Sequence, residues 1–510
     1  MSRSRSNFVW FGFLLAFTRC QLAQSQAWTW LAGDQIVDRI STQLYPGAQK
    51  GASTWHDVHT NVTWMFGGQG FSQLPLGKPT LLDDLWLFDE RGKTEEKTSY
   101  FVKVSHEIPS GEKDGKSHTK AATWPRERQH ASMCGAEDNL ILFGGFGEGH
   151  SVFGDLWVYD IRQGNWTQVS TNGPAARGDA AVWCTESFMY IFGGLSVKGT
   201  VLDDMWKLDL FSLTWSSIHS AQVDEGHHDL KGRNGAATWV SGDALYMFGG
   251  NTATSFSYSL QMKEGLSSEL WRFFPGNSSW EPLRGYMERN KNGVHSSVGE
   301  YSVSNVPGSR LGGGSWVDAL GGLWLFGGAG VDSHPSAGNM PAQVLSDVWR
   351  FNTRSQTWAF IGGSDEGGQA GKYKGIGKMM ADALPGARTE MMVFPGDKEK
   401  IYIFGGVGHD ARHVDGYLND LWSIDISDTL SGRYAISAMS LLLFLGFCIG
   451  LLVISMVIGL AGRDNAGRPR HSRFSRGSRH PYSQLRTLED PEDFKSSRMP
   501  HQNRSSPFVT

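Results

Sequence analysis

Cysteine is scarce in this chain, with four residues among 510: Cys20, Cys134, Cys184 and Cys448. Cys20 and Cys448 fall in apolar segments near the two ends, so one pair at most is left to cross-link the region between them. Helical periodicity is also absent from residues 28–426, where short apolar runs alternate with turn residues. This pattern predicts an all-β fold.

Positive charge is sparse in residues 28–462, which hold 34 basic and 46 acidic residues, a net charge of −12. The whole-chain value of −4 hides this, because residues 463–510 carry ten Lys and Arg against five Asp and Glu. An acidic domain argues against nucleic acid or polyanionic glycans as its ligand.

What the chain does have is a repeat, seen most compactly between Pro174 and Ser217. Each copy reads as four short strands, here named A to D, and therefore as one four-stranded sheet. Strand B ends in Phe-Gly-Gly six times, at Gly68, Gly145, Gly194, Gly250, Gly328 and Gly406. Strand C then carries an acidic-x-Trp element, at Trp86, Trp157, Trp206, Trp271, Trp349 and Trp422. Strand D carries Trp166, Trp215, Trp280 and Trp358, and Tyr100 is expected to take this place in the first copy.

These residues resemble the kelch repeat, and the resemblance implies a six-bladed β-propeller over residues 28–426. Isolated sheets of this kind bury too little surface to be stable, so the blades must stack into a ring. The sixth copy lacks strand D, while Trp28 to Leu31 stand before the first copy without a unit of their own. We expect this N-terminal strand to close the ring.

The ends of the chain predict a membrane protein. Residues 1–27 have the pattern of a signal peptide, cleaved after Ala27 or Cys20, with an uncleaved anchor as the alternative. Residues 427–434 form a linker, and 435–461 are uncharged and long enough for a transmembrane helix. The basic tail, 462–510, is predicted to be disordered and cytoplasmic. This makes a single-pass type I protein of the plasma membrane or endomembrane system, with its propeller extracellular or lumenal.

Strand order assigns the connections to two faces. The A–B and C–D turns form one face, the short-turn face, and the B–C turns and D–A connections form the other, the long-loop face. The long insertions fall almost entirely on the latter: Gln69–Thr80, His106–Trp124, Asn251–Ser267, Arg284–Val306, Ala329–Leu345 and Gly362–Leu384. Three glycosylation sequons, at Asn61, Asn165 and Asn277, all fall in the short turns.

Cys134 and Cys184 occupy strand A of neighbouring copies, at offsets that point their side chains to opposite sheet faces. Because opposite faces of adjacent blades confront each other, a disulfide and a pair of buried thiols both fit the sequence.

The sequence holds three further motifs. His409 and His413, with His227, His228 and Asp229, could hold a divalent metal if they converged, but solvated loop histidines are the favoured interpretation and no metal site is assigned. Gly446 and Gly450 have the small-xxx-small spacing of a weak transmembrane homodimer. Tyr482 and Leu485 resemble a tyrosine-based sorting signal.

The expected function is a membrane-anchored binding, adhesion or receptor-like module that takes a protein or glycan ligand on its long-loop face. Ectodomain propellers of the attractin kind are similar. The alternative is a secretory-pathway enzyme or lectin-like module that uses the central channel, since kelch folding also resembles the propeller of galactose oxidase. The copper-binding Tyr, His and Cys set of that enzyme is not recognisable in this sequence, so no catalytic residue or cofactor is predicted.

Overall fold

A computed structural model describes residues 28–40, 45–72, 77–92, 99–104, 123–219, 230–253, 265–333, 342–380 and 382–427. They belong to the first of two compact units, Met1–Ala435. In these ranges the chain forms antiparallel sheets and three short 3-10 helices, at Glu90–Gly92, Glu148–His150 and Asp397–Glu399. None of the helices described is long and apolar enough to cross a membrane. The predicted signal peptide, membrane span and tail, with Gly446, Gly450, Tyr482 and Leu485, lie outside the described residues.

Six larger sheets follow one another along the described chain, and in the first five of them strands A to D come in sequence order. Sheet 1 comprises Ser53–Asp57, Val62–Phe66, Leu85–Phe88 and Phe101–Val104. Sheet 2 comprises Ser132–Ala136, Asn139–Phe146, Val152–Asp160 and Asn165–Val169. Sheet 3 comprises Ala181–Cys184, Phe188–Phe192, Met205–Asp209 and Trp215–Ile218. Sheet 4 comprises Ala237–Ser241, Ala244–Phe248, Leu270–Phe274 and Ser279–Arg284.

Sheet 5 comprises Gly314–Val317, Leu323–Gly330, Gln343–Asn352 and Thr357–Gly362, with Arg310–Leu311 also paired to its strand B. Sheet 6 takes Met392–Pro395, Lys400–Phe404 and Leu421–Asp425 from the end of the described chain. Two small three-stranded sheets join Gln49–Lys50, Gln69–Gly70 and Thr80–Leu81, and Arg388–Thr389, Val407–His409 and Asp415–Tyr417.

Strand D of sheet 6 comes from the other end of the chain. Trp28–Ala32 pairs antiparallel with Leu421–Asp425, placing Trp30 opposite Trp422. The pairing expected from the orphan strand is therefore present, one residue longer than expected.

Aromatic contacts run from sheet to sheet around a closed circle. In each case the strand D aromatic of one sheet packs on the Phe-Gly-Gly phenylalanine of the preceding sheet, with ring centroids 4.9 to 5.5 Å apart. The pairs are Trp166 on Phe66, Trp215 on Phe143, Trp280 on Phe192, Trp358 on Phe248, Trp28 on Phe326 and Phe101 on Phe404. In sheet 1 this position is Phe101 and not the expected Tyr100, which lies just before the strand. The buried core is accordingly divided into six clusters, each between two consecutive sheets.

The Gly pair is required because the next sheet comes too close for a side chain. Gly144 and Gly145 have φ of 70° and 103°, and a Cβ on Gly144 would lie 2.4 Å from the carbonyl oxygen of Arg177. The amide of Gly145 donates to that same oxygen at 2.8 Å. The two glycines thus let the backbones of sheets 2 and 3 come close enough to form a hydrogen bond. A residue with a Cβ would prevent this approach.

Contacts among the turns agree with the assignment of faces. The A–B turns of sheets 1 and 6 meet where Asn61 Nδ2 donates to Asp397 at 2.8 Å. Those of sheets 5 and 6 meet where the Ala319 amide donates to Glu399 at 2.9 Å. The described chain also ends on this short-turn face, because the Ile426 amide donates to the carbonyl of Glu399.

Two of the long insertions do not simply build up the long-loop face. The middle of Arg284–Val306 lies along strand D of sheet 5, where the Gly299 amide donates to the Phe360 carbonyl at 2.7 Å. Similarly, the Gly377 amide of the insertion Gly362–Leu384 donates to the Trp30 carbonyl of sheet 6 at 2.7 Å. Unpaired edge strands invite association with other chains. These insertions therefore cover the outer edges of two sheets.

Candidate functional site: the central cavity

A buried arginine precedes strand A in five of the six sheets. Each bonds the first glycine carbonyl of the Phe-Gly-Gly element and the acidic residue of strand C. The pairs are Arg128 with Asp155, Arg177 with Asp204, Arg233 with Glu269, Arg310 with Asp347 and Arg388 with Asp420. The Trp two residues beyond the acid donates its indole N–H to the same carboxylate. These bonds fix the position at which each D–A connection reaches the centre of the ring of sheets.

The residues two positions after these arginines, and Gly51 in sheet 1, line the centre in a ring. All six have a left-handed backbone, with φ between 54° and 67°. Each donates its amide to the carbonyl of the preceding member at 2.8 to 3.1 Å, and Gly51 donates to Glu390, which closes the ring. The members are Gly51, His130, Asp179, Gly235, Gly312 and Glu390.

Three ring members are not glycine, although the backbone conformation favours it. A left-handed conformation costs a residue with a Cβ about 1 to 2 kcal/mol, with Asp and His among the better tolerated types and Glu not. Strain of this kind clusters at binding and active sites. His130, Asp179 and Glu390 therefore mark the centre of the ring as a candidate site.

The three side chains form one ionic cluster. His130 Nδ1 lies 3.4 Å from Asp179, and its Nε2 lies 3.1 Å from Glu390. Lys50 Nζ lies 3.0 Å from Glu390, and Asn234 Nδ2 donates to Asp179 at 2.7 Å. The cluster thus joins residues of sheets 6, 1, 2, 3 and 4 across the axis.

The cluster shifts the pKa values of its members. Burial alone would lower the pKa of His130, but the carboxylates of Glu390 and Asp179 outweigh it and raise that pKa to about 10. Burial would raise the pKa of Glu390, but Lys50 and His130 hold it well below its usual range. At neutral pH the imidazole is therefore cationic and the Glu390 carboxylate ionised.

A cavity of about 180 Å³ opens beside the cluster, where D–A connections and a B–C turn enter the centre. One wall is polar, made by His130, Asp179, Asn234, Asn251 and Glu390. The rest is glycine and aliphatic: Gly51, Ala52, Gly235, Ala236, Leu311, Gly312, Gly313 and Met391. A pocket with one polar and one apolar wall suits a small group that is itself amphipathic.

The residues predicted from sequence lie elsewhere. Asn165, the first residue of strand D of sheet 2, and Asn277, in the C–D turn of sheet 4, are both exposed. Asn277 Oδ1 accepts a hydrogen bond from the Ser279 hydroxyl at 2.8 Å. Asn61 is only half-buried, but its Nδ2 donates to both Glu90 and Asp397. A glycan on that nitrogen would leave one hydrogen, enough for one of these two bonds.

Cys134 and Cys184 are joined by a disulfide, with Cα atoms 5.7 Å apart, between strands A of sheets 2 and 3. It lies outside the cavity lining.

His409 and His413 do not line the cavity. The His409 and His413 rings stack 4.4 Å apart, and His409 Nδ1 faces Asp415 at 2.9 Å. His227, His228 and Asp229 lie outside the described residues. No group of three or more His, Cys, Asp or Glu side chains in the described ranges is placed to hold a metal ion.

The cavity was missed from the sequence. Its signal is the residue two positions beyond each buried arginine, where His130, Asp179 and Glu390 stand in place of the glycine found at Gly235 and Gly312. Aligning the copies on the arginine would have shown this departure.

Comparison with known proteins gives one family match. Residues 113–299, which contain sheets 2, 3 and 4, match the KLHDC2/KLHL20/DRC7 Kelch-repeats domain. No curated protein has significant sequence similarity to the chain. Among solved structures, one titled "Structure of YjhT" is similar with a TM-score of 0.47 and 13% identity, over 74% of this chain and 96% of that one.

Proposed function

Since this chain is a kelch-repeat protein and carries a fold that serves as a binding module, we propose that it is a membrane-anchored receptor or adhesion-like protein. Its six-bladed propeller, closed by the N-terminal strand, stands outside the cytosol and is anchored by the segment 435–461. A protein or glycan partner binds on the long-loop face, around the mouth of the central cavity. The proposal assigns no reaction to the chain.

The observation that carries this proposal is the strained, charged ring. His130, Asp179 and Glu390 keep an unfavourable backbone conformation at the end of the channel where D–A connections enter. Structural packing alone would be served by glycine, as it is in the other three members of the ring. Strained backbone that carries charged side chains beside a cavity favours a binding role.

Two further observations support the location and the face. The disulfide between Cys134 and Cys184 favours an oxidising compartment, since cytosolic thiols are kept reduced. The exposed sequons at Asn165 and Asn277 are on the short-turn face, and the described chain ends there as well. Glycans and an anchor on that side would leave the long-loop face free.

The test places a glycan on each face of the same sheet. Lys198→Asn creates a sequon with Thr200 in the B–C turn of sheet 3, on the long-loop face. Ser212→Asn creates one with Thr214 in the C–D turn, on the short-turn face. Lys198 and Ser212 are exposed, so neither substitution disturbs the core.

Proximity labelling from the intact full-length protein on cells first defines its neighbours. We expect the glycosylated Lys198→Asn protein to lose labelling of those neighbours, and the glycosylated Ser212→Asn protein to keep it. Unchanged labelling by a folded and glycosylated Lys198→Asn protein would refute the long-loop face. Absence of glycans from both new sequons, and from Asn165 and Asn277, would refute the location.

A further inference from the structure

The ring amides and the His130 imidazole already have partners within the described structure. The six ring amides all donate within the ring. The two nitrogens of His130 face Asp179 and Glu390, and the amide nitrogen of Asn234 donates to Asp179. The carboxylates of Asp179 and Glu390 keep acceptor capacity for a ligand, because each carboxylate oxygen has more than one lone pair.

One acceptor is buried and has no partner. Asn234 lines the cavity with 5% of its surface exposed, and its Oδ1 has no hydrogen-bond partner within the described structure. Leaving a buried polar atom unpaired costs about 1 to 3 kcal/mol. A donor brought by a ligand would remove that cost.

Lys50 and His130 balance Glu390 and Asp179 in overall charge, but the distribution of these charges favours a cationic donor beside Asp179. Glu390 is matched by Lys50 and His130, whereas Asp179 faces only the imidazole that it shares with Glu390, at 3.4 Å, and the neutral amide of Asn234. The net charge of −12 over residues 28–462 draws cations toward the domain as a whole. A cation beside Asp179 and Asn234 would meet a carboxylate and a free carbonyl oxygen together.

The remaining walls limit what can carry that cation. They are made of Gly235, Ala236, Leu311, Gly312 and Gly313, which offer aliphatic contact and little bulk. The cavity of about 180 Å³ is far larger than the ~10 to 15 Å³ that one water molecule needs. That volume accommodates a short alkyl chain.

We propose that the central cavity binds a primary ammonium group on a short alkyl chain, held by Asp179 and Asn234. The ammonium belongs to a free alkylamine or to a lysine side chain of a protein partner. The second source rests on the proposed function, whereas binding of a small amine does not depend on it.

The test measures saturable binding to the full-length protein in detergent at constant ionic strength. The probes are n-butylammonium chloride, its neutral counterpart 1-butanol, and Nα-acetyl-lysine methylamide. We expect butylammonium to bind at least tenfold more tightly than 1-butanol. Equal affinity, or no saturable binding of either amine, would overturn the proposal. Binding of butylammonium alone identifies a free amine as the ligand, and binding of the lysine derivative as well admits a partner's lysine.

Variants locate the site. Asp179→Asn removes one charge and keeps a residue type that tolerates the left-handed backbone, and it should weaken butylammonium binding at least tenfold. Asp203→Asn removes the same charge from an exposed B–C turn and should leave binding unchanged. Asn234→Leu removes the free acceptor and should also weaken binding. It tests the site independently if the Asp179→Asn protein does not fold. Full binding by a folded Asp179→Asn or Asn234→Leu protein would place the amine elsewhere.

Discussion

At the scale of single residues, the acidic-x-Trp element is explained by one buried carboxylate with two partners. In sheet 5, Asp347 accepts from the guanidinium of Arg310 at 2.6 Å and from the indole of Trp349 at 2.7 Å. Sheet 1 lacks the arginine and has Gln49 at the equivalent position, and there Asp84 pairs instead with Lys103. The repeat therefore tolerates loss of the arginine when the acidic residue finds another cation.

Arg310→Met should be strongly destabilising, because it leaves Asp347, with 2% of its surface exposed, without its cation. Breaking a buried pair by removing one partner costs about 3 to 5 kcal/mol. Urea denaturation of the full-length protein measures this. Arg272→Met, which removes a more exposed pair with Glu281, should cost less than about 1 kcal/mol. If the two variants lose a similar amount of unfolding free energy, the buried Arg310–Asp347 pair is not the more important of the two for stability.

Because of His130, the free energy of unfolding should fall as the pH rises into the alkaline range. Its pKa is raised from 6.5 to about 10 by Glu390 and Asp179 against the opposing effect of burial, so the folded state holds the proton more tightly than the unfolded state. The resulting stability is fully present below about pH 6.5 and is lost as the pH rises to about 10. The stability gap between the wild-type protein and His130→Asn should therefore narrow between pH 6 and pH 10. Denaturation curves at these pH values measure the difference in unfolding free energy between the two proteins. A difference that stays constant would contradict the raised pKa of His130.

At the scale of secondary-structure elements, the N-terminal strand stabilises a sheet at the opposite end of the chain. Trp28 is 1% exposed and packs on Phe326 of sheet 5, with ring centroids 5.3 Å apart. Without this strand, Leu421–Asp425 would become an uncovered edge. Edges of that kind lead to aggregation.

Removal of residues 28–33 should lower the melting temperature of the whole domain and promote aggregation. Trp28→Ala alone should cost about 3 to 5 kcal/mol, the usual penalty for deleting a buried Trp. The matched control is Thr29→Ala, whose smaller side chain lies on the same strand and should cost less than half as much. Differential scanning calorimetry compares the three, and an unchanged melting temperature after the deletion would show that the strand does not close the ring.

Sequence reasoning succeeded where the signal is local and repeated. Phe-Gly-Gly and the strand D aromatics each lie within one short segment, so their spacing alone indicated sheets. The arginine partnerships were missed because Arg310 and Asp347 are 37 residues apart and meet only after the sheet has formed. The edge-covering role of Gly362–Leu384 was missed for a similar reason, since the contact of Gly377 with Trp30 joins distant parts of the chain.

At the scale of the whole molecule, the disulfide links the fold to its compartment. Cys134 and Cys184 are 50 residues apart in sequence, and closing a loop of that length stabilises the folded state by about 4 kcal/mol in the chain-entropy description. The bond persists only in an oxidising environment. The proposed location and the stability of the domain are therefore coupled.

Removing residues 1–27, the predicted signal peptide, should leave the protein in the cytosol with both thiols reduced. Alkylation of denatured cell extracts, with Cys448 replaced by Ala, should then modify Cys134 and Cys184, whereas in the complete protein both should be protected until a reductant is added. The shortened protein should be no more stable than a complete protein in which both cysteines are replaced by Ala, because both lack the cross-link. If the two thiols of the complete protein react without reductant, the domain does not reside in an oxidising compartment, and the extracellular or lumenal location is wrong.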